Sequence, residues 1–356
     1  MATVAAYEGK DFHKRFINAE TLILTPEDRV LIISDFHMGN GGRRDDLLKN
    51  QELLQEVLEK YYLPQNWYLV LNGDIEELQR YSFSKIRTYW KKLYEIFDAF
   101  HEKGRLFKIL GNHDEDLVLE KRYPYPLLDT LRIETPVIPV YVFHGHQSSK
   151  IYTNYNRIVR ASLRYFFKPL GIRNISSGRR PRHRFFVEKK AYDYARTNGI
   201  ISVIGHTHRP LFESLGRFDY IKFEIERLCR EYPMAAGEDR KRIADEVFLL
   251  RIELAKLKRS ERRKSIKESL YGDELPVPCL FNSGSAIGKK GINAIELDSN
   301  SISLVYWFTE GRSKKFVKRG SYTIEKLHGT EQRRSILNTD RLDYIKAKIE
   351  LLGLLP

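Results

Sequence analysis

The chain has 356 residues, of which 42% are hydrophobic and 30% are charged. This composition is typical of a soluble globular protein, and the length allows one large domain with an insertion. No apolar run approaches the roughly 20 residues that a membrane-spanning helix needs, and the start, MATVAAYEGKDFHKRF, lacks the apolar stretch of a secretory signal. We therefore expect a cytoplasmic protein. Its two cysteines, Cys229 and Cys279, exclude a disulfide framework and a CxxC zinc pattern.

The formal net charge is +14, and much of it lies in one segment. Between Lys150 and Lys190 there are twelve Lys or Arg residues but only one acid, Glu188. Such a field favours an anionic partner: a phosphorylated substrate, nucleic acid, or the acidic inner face of a membrane contacted peripherally. A basic face that is merely solvated is the alternative.

The first half of the chain alternates β-rich runs with helical patterns. Five runs read as buried strands, at residues 30–33, 67–71, 105–110, 137–143 and 200–204. Helical patterns lie between them, notably at residues 47–62 and 84–102. This alternation predicts an α/β architecture in which helices cover the faces of the sheet.

Each of these five runs ends in a polar cluster. The clusters are Ser34-Asp35-Phe36-His37, Asn72-Gly73-Asp74, Gly111-Asn112-His113-Asp114, His144-Gly145-His146 and Gly205-His206-Thr207-His208. They contain six of the ten histidines, which random placement would rarely achieve. Because ligand sites of open α/β sheets form at the carboxyl ends of strands, the five clusters predict one shared site.

The pattern changes after this region. Residues 217–270 read as a helical hairpin with narrow apolar seams and a break at residues 232–237. The hairpin would pack on the main domain or on a second copy of the chain, forming a homo-oligomer. Strand character resumes at residues 277–281, 292–297 and 302–308, which we expect to close a second sheet. The predicted division is therefore 1–216 for the first part of the core, with a basic helical cap at about 147–195, then 217–270 for the insertion, and 271–356 for core completion and tail.

The residue types at the strand ends suit a dinuclear metal site. Imidazole binds manganese, iron and zinc, whereas carboxylate and carboxamide oxygens favour the harder ions. We expect two divalent ions, with manganese preferred and iron or zinc as alternatives. Two cations close together need a shared anionic bridge, which one carboxylate with a hydroxide would supply.

The ordered series Asp35-x-His37, Gly73-Asp74, Gly111-Asn112-His113-Asp114, His144 and Gly205-His206-x-His208 resembles the calcineurin-like metallophosphoesterase family over residues 28–215. Asn282-Ser283-Gly284-Ser285 resembles the family's late strand-end motif. The resemblance implies a four-layer αββα sandwich. It also implies one metal held by Asp35, His37 and His208, and another held by Asn112, His144 and His206, with Asp74 bridging both.

The resemblance further implies hydrolysis of a phosphoester or pyrophosphate bond by a metal-bridging hydroxide. His113 would lie beside the leaving oxygen as general acid or transition-state stabiliser. Asp114 would fix its tautomer by accepting the other ring N–H. His146 could support the ligands, contact substrate or serve only the structure.

Two branches of the family can be compared through their motifs. Protein Ser/Thr phosphatases carry an Asp-Arg-Gly soon after the Gly-Asp, and this chain lacks it, although Arg80 could substitute. The closer resemblance is to the UDP-2,3-diacylglucosamine hydrolases of lipid A synthesis, because a basic and apolar helical cap precedes Gly205-His206-Thr207-His208-Arg209-Pro210. In that cap, Arg157, Arg160 and Arg164 would contact a diphosphate.

Two departures weaken the lipid assignment. Those hydrolases typically have Arg where this chain has His113, and they lack a hairpin like residues 217–270. A nuclease or cyclic-nucleotide phosphodiesterase would use the same metal ligands, although no nucleic-acid-binding module is visible and nucleic acid is the less favoured partner. A non-catalytic scaffold is disfavoured because every expected ligand is retained.

Overall fold

The computed structural model describes residues 13–148, 181–212, 221, 225, 228–229, 231–261, 277–311 and 324–352. Its strands are β1 (Glu20–Ile23), β2 (Arg29–Ile33), β3 (Tyr68–Asn72), β4 (Leu106–Ile109), β5 (Leu127–Leu128), β6 (Thr130–Glu134), β7 (Val140–Phe143), β8 (Ile201–Ile204), β9 (Leu280–Asn282), β10 (Ile292–Asp298), β11 (Ser301–Thr309), β12 (Ile324–Lys326) and β13 (Gln332–Arg341). Its α-helices are α1 (Gln51–Val57), α2 (Phe83–Tyr89), α3 (Lys91–Glu102), α4 (Pro181–Asn198), α5 (Gly237–Glu261) and α6 (Leu342–Leu352). A π-helical turn, Leu58–Tyr62, continues α1, and short 3₁₀ turns lie at Leu48–Asn50, Glu115–Leu119, His146–Ser148 and Tyr232–Met234.

The described strands form two sheets. The larger has the order β12-β13-β11-β10-β2-β3-β4-β5, and its strands β2 to β5 are parallel. The smaller has the order β1-β6-β7-β8-β9, in which β7, β8 and β9 are parallel. Because β2, β3 and β4 are parallel in one sheet and β7 and β8 in the other, each set of polar clusters is gathered at one edge of its sheet.

Alternation along β2 shows how the layers are stacked. Val30 and Ile32 belong to the apolar cluster that contains Val140 and Val142 of the smaller sheet. Leu31 and Ile33 point the other way, into the cluster formed with α1 and α3. On the smaller sheet, Tyr141 lies 6.0 Å from the ring of Tyr194 on α4. The order of layers is helices, large sheet, small sheet and helix, so the predicted αββα sandwich is confirmed.

Two details of the sequence prediction were wrong. Residues 84–102 form two helices rather than one, because buried Trp90 lies between them and donates its indole N–H to the carbonyl of Gly39 and to Asp45. Strands β10 and β11 do not close the second sheet. They extend the sheet of β2, with Ile295 paired to Ile32, and only β9 joins the smaller sheet.

The insertion and the cap are described in part. Helix α5 begins at Gly237, the last residue of the predicted break at residues 232–237. Of the predicted cap, α4 is described, whereas Arg157, Arg160 and Arg164 lie outside the described residues. The domain boundaries and the homo-oligomer stay predictions. In the described part of the chain, no helix is both long and apolar enough to cross a membrane.

Candidate metal centre

The loops that carry the expected ligands have an unusual backbone. Among the described non-glycine residues, six have positive φ angles, and five of them are expected ligands: Asp35, His37, Asp74, His206 and His208. Left-handed backbone at such residues costs about 1–3 kcal/mol each and persists only where surrounding contacts enforce it. Here the loops bond to one another, since the N–H of Asp35 donates to Gly73 O at 3.1 Å and that of His37 donates to Asp74 O at 3.0 Å.

The first group of candidate ligands joins a β2 loop to the loop after β8. Nε2 of His208 lies 3.1 Å from Oδ1 of Asp35 and 3.2 Å from Nε2 of His37. The other oxygen of Asp35 accepts hydrogen bonds from Ser34 Oγ and from the backbone N–H of His206. Oδ1 is therefore the oxygen that remains to face a cation.

The second group lies between the two sheets. Nε2 of His144 is 3.1 Å from Oδ2 of Asp74, and its Nδ1 lies 2.8 Å from the carbonyl of Asn72. That carbonyl can only accept, so it fixes the tautomer with the proton on Nδ1 and turns Nε2 toward the site. His206 completes the group, its ring 5.2 Å from that of His144.

Asp74 connects the two groups. Its Oδ2 lies 3.1 Å from His144 Nε2 and 3.9 Å from His37 Nε2. Its Oδ1 accepts the backbone N–H of His113 at 2.8 Å. A side chain at Gly111 would collide with this arrangement, because a Cβ there would lie 2.2 Å from both the N and Oδ1 of Asp74. Asp74 is thus placed to serve both halves of a dinuclear site.

The polar atoms of the site fit a pair of cations. Ligand atoms bound about 2.1 Å from one ion lie roughly 3–4 Å apart, which is the spacing seen around Asp35 and Asp74. Three buried atoms on expected ligands make no hydrogen bond of good geometry: Asp35 Oδ1, Asn112 Oδ1 and His144 Nε2. The contacts of the first and third, to His208 and Asp74 at 3.1 Å, are to other expected ligands. Buried polar atoms are normally paired, so these are the atoms that bound cations would satisfy.

Charge within the site differs between its histidines. Burial would lower the pKa of His144, but the adjacent charge of Asp74 raises it to about 9. Burial lowers the pKa of His206 to about 3, and the neighbouring His144 adds to the effect. In the metal-free site, the charge of Asp74 favours protonation of His144, and a bound cation would replace that proton. His206 is already neutral and can coordinate without losing a proton.

A comparison with protein families now bears on this centre. The family model for calcineurin-like phosphoesterases matches residues 28–233, which is more than half of the chain and includes all seven expected ligands. The chain belongs to the calcineurin-like phosphoesterase family. It is therefore a metal-dependent hydrolase acting on phosphoesters, with clusters of His and Asp able to hold the metal.

Solved structures give weaker likenesses. YfcE, a phosphoesterase from E. coli, is 12% identical, with 77% of this chain and 91% of that one covered at a TM-score of 0.32. A single mutant of Vps29 from Entamoeba histolytica is also 12% identical, with 87% and 99% covered at a TM-score of 0.34. A comparison with curated proteins gives no match. At these scores the structural likenesses add nothing to the family assignment.

In this phosphoesterase, the residue that holds His113 is Glu77. Both carboxylate oxygens lie 3.0 Å from His113 Nδ1, and one also lies 3.2 Å from His37 Nδ1. The prediction that Asp114 accepts the ring N–H of His113 was therefore wrong, because the acceptor is Glu77. Burial would lower the pKa of His113, but the charge of Asp74 and the hydrogen bond to Glu77 raise it to about 9. Sequence reasoning missed Glu77, whose one signal was its place three residues after Asp74.

Asp114 has a different task. Its oxygens accept the backbone N–H of Ile75 at 2.7 Å and of Gly111 at 2.6 Å, which ties two ligand-bearing loops together. It is also paired with the fully buried ammonium of Lys108, which lies 3.1 Å from Glu76. The network ties together the loops that carry Asp74 and Asn112.

Two predicted substrate-contact residues lie near the centre, and the cap residues are not described. Nη2 of Arg80 lies 3.7 Å from Glu77, and Nη1 lies 3.7 Å from Asp46. His146 pairs with Glu115 at 3.1 Å, and its ring lies 5.5 Å from that of His144. Arg80 therefore borders the His113 side of the centre, and His146 borders the His144 side.

Proposed function

We propose that this chain hydrolyses a phosphodiester or diphosphate bond with two divalent metal ions, manganese being the working ion. The observation that carries the proposal is Asp74, whose carboxylate groups with His144 and His206 on one side and with His37 and His113 on the other. Buried ligand atoms that lack a well-formed hydrogen bond lie in both halves of the site and support the proposal: Asp35 Oδ1 in one half, and Asn112 Oδ1 and His144 Nε2 in the other.

The roles of the residues follow from their contacts. Asp35, His37 and His208 would hold one ion, Asn112, His144 and His206 the other, and Asp74 would be shared. Such ions lower the pKa of a coordinated water and neutralise charge on phosphoryl oxygens. The backbone carbonyl of Asn72 keeps His144 in the coordinating tautomer.

His113 is proposed as the proton donor to the leaving oxygen. Glu77 anchors Nδ1, so the opposite ring nitrogen is the one available to substrate. Asp74 and Glu77 both raise the pKa of His113. Because bound cations would engage the charge of Asp74, Glu77 is the carboxylate that would keep this imidazole protonated for the leaving group in the metal-loaded site. The group would act in the protonated form, stabilised by Glu77.

For the substrate, we propose a diphosphate of the UDP-2,3-diacylglucosamine type or a related phosphodiester. Support comes from the basic segment before β8, which suits a diphosphate. The second candidate is a nuclease or a cyclic-nucleotide phosphodiesterase, which the presence of His113 instead of Arg favours. Cytoplasmic location, peripheral contact with an acidic membrane and self-association through residues 217–270 belong to the same proposal.

A manganese-supplemented substrate panel tests the activity. It compares UDP-diacylglucosamine, dinucleotides, cyclic nucleotides, single-stranded nucleic acid, monoesters and bis-p-nitrophenyl phosphate. We expect hydrolysis of diesters or diphosphates to exceed that of monoesters. A metal-loaded protein that is inert on every phosphoester would overturn the enzyme proposal in favour of a scaffold.

Two variants test the assignment of roles. Asp74→Asn should lose bound metal and activity together, because the shared carboxylate loses its charge. His113→Ala should keep its metal content while its kcat falls about 10²–10⁴-fold, the range of general acid catalysis. Metal analysis beside steady-state kinetics separates the two, and full activity in both variants would contradict the mechanism.

A further inference from the structure

Two exposed arginines follow the His37 loop. We call residues 39–46, Gly-Asn-Gly-Gly-Arg-Arg-Asp-Asp, the arginine loop. The side chains of Arg43 and Arg44 are exposed, and within the described residues neither guanidinium has an acidic partner within 4 Å. Both guanidiniums are therefore available to pair with an anion.

The arginine loop is held in a defined conformation. Asp45 is buried, and its Oδ2 accepts the N–H of Gly41 at 2.9 Å and the indole N–H of Trp90 at 3.1 Å. Its Oδ1 accepts the N–H of Leu47 at 3.3 Å. A loop anchored from inside by one carboxylate presents its two arginines at a fixed place, which limits the entropy lost when they bind an anion.

The loop adjoins the His113 side of the metal centre. Arg80 makes the connection, because its Nη1 donates to the carbonyl of Arg44 at 3.4 Å and its Nη2 lies 3.7 Å from Glu77. Glu77 in turn holds His113. Asp46 and Glu77 partly compensate the charge of Arg80, whereas Arg43 and Arg44 form no salt bridge within the part of the chain that the structure describes.

An aromatic ring lies beside the same loop. Tyr89 is 41% exposed, and its ring packs so closely on Gly41 that a Cβ there would lie 2.0 Å from it. Exposed aromatic rings next to arginines are the features with which proteins stack a base and bind its phosphates. Here the two arginines lie on the loop, and the ring packs against that loop from the end of α2.

We infer that the arginine loop binds a further phosphate of a nucleotide substrate, beyond the one that is cleaved, with the base stacked on Tyr89. This rests on the proposed function. Arginine suits the task because its planar guanidinium pairs with two phosphate oxygens at once. The further phosphate comes from either of two sources: the 3′-phosphate of an oligonucleotide or the second phosphate of a nucleoside diphosphate.

The test compares substrates that differ by one phosphate. In the first arm, thymidine 5′-(p-nitrophenyl phosphate) is assayed with and without a 3′-phosphate, and the ratio of the two kcat/KM values is the preference. In the second arm, the p-nitrophenyl ester of UDP is compared with the p-nitrophenyl ester of UMP, so that p-nitrophenolate is the leaving group in both. Wild-type protein is compared with Arg43→Gln/Arg44→Gln and with Lys346→Gln/Lys348→Gln, which has the same change in charge but lies on the C-terminal helix.

We expect a preference of about 10-fold in one arm, decreasing as salt is raised, since phosphate contacts are screened by counterions. In Arg43→Gln/Arg44→Gln that preference should fall toward one, whereas the lysine control should keep it. The arm that shows the preference identifies the source of the phosphate. Equal use of all substrates, or a preference that survives in the arginine variant, overturns the inference while leaving the proposed function intact. If the wild-type protein hydrolyses none of these substrates, the proposed function is overturned instead.

Discussion

The carboxylate of Glu77 lies 3.0 Å from Nδ1 of His113, with both of its oxygens equally close. One of those oxygens also lies 3.2 Å from Nδ1 of His37. A single side chain thus orients the proposed proton donor and one of the proposed ligands. Hydrogen-bond partners of this kind set the tautomer and the ring orientation of the histidines they hold.

Glu77→Gln should therefore affect both histidines. We expect a lower kcat, because an amide stabilises the protonated His113 less than a carboxylate does. We also expect manganese to bind about 10–100-fold more weakly, the usual effect of losing such a partner. Kinetics at saturating metal and a metal titration measure the two effects.

The double variant Glu77→Gln/His113→Ala provides the control. If Glu77 acts on the rate through His113, the double variant at saturating metal should be no slower than His113→Ala alone. Additive losses would contradict this and assign Glu77 an action of its own.

Lys108→Met should destabilise the fold. The ammonium is fully buried between Glu76 and Asp114, so its removal leaves two buried carboxylates without a countercharge. Breaking a buried ion pair in this way costs about 3–5 kcal/mol. The free energy of unfolding from urea denaturation measures the loss.

An exposed lysine serves as the comparison for Lys108. Lys60 pairs with Glu56 one helical turn away and is 44% exposed. Lys60→Met should change the free energy of unfolding by about 0.5 kcal/mol or less, as solvent screens such pairs. If Lys108→Met and Lys60→Met lower the free energy of unfolding equally, the buried network contributes no more to stability than an exposed ion pair.

Gly111→Ala should damage the metal centre without touching any ligand. The new Cβ would meet the N and Oδ1 of Asp74 at 2.2 Å, so the shared carboxylate must move. We expect a loss of bound manganese, measured on the purified protein. Gly42→Ala is the matched control, since its nearest neighbour is the flexible Asn40 side chain at 3.1 Å. Retention of full metal content in Gly111→Ala would contradict the placement of Asp74.

Metal removal should lower the melting temperature. Cations that bind the folded chain alone stabilise it by about 2.7 kcal/mol at 100 times their Kd. The orphaned atoms of Asp35, Asn112 and His144 are the groups that gain partners. A chelator followed by a manganese titration checks this by thermal melting, and a melting temperature indifferent to manganese would contradict it.

Much of the fold and the site could be predicted from the sequence, for identifiable reasons. The parallel strands were visible because β2, β3 and β8 are apolar runs that end abruptly in polar clusters. Local patterns, however, do not state which strands pair. The placement of β10 beside β2 depends on contacts between Ile295 and Ile32, more than 250 positions apart.

The acids of the site show the same limit. Asp114 adjoins His113 in sequence and was the obvious partner, yet its side chain turns toward Lys108, which looked like an ordinary charged residue in a strand. The reach of Glu77 depends on the bend of the loop after Asp74, which a spacing of three residues does not reveal. Such pairings depend on contacts between loops that are distant in sequence, and these contacts cannot be inferred from the sequence of each loop alone.

The left-handed backbone at five proposed ligands sets function against stability. Each of these residues would relax if glycine replaced it, so selection for a durable fold alone would remove the metal site first. A descendant of this chain that binds partners but no longer cleaves phosphoesters should therefore melt at a higher temperature than its metal-free ancestor. Asp35, His37, Asp74, His206 and His208 thus occupy backbone positions that a fold without a metal site would have no reason to strain.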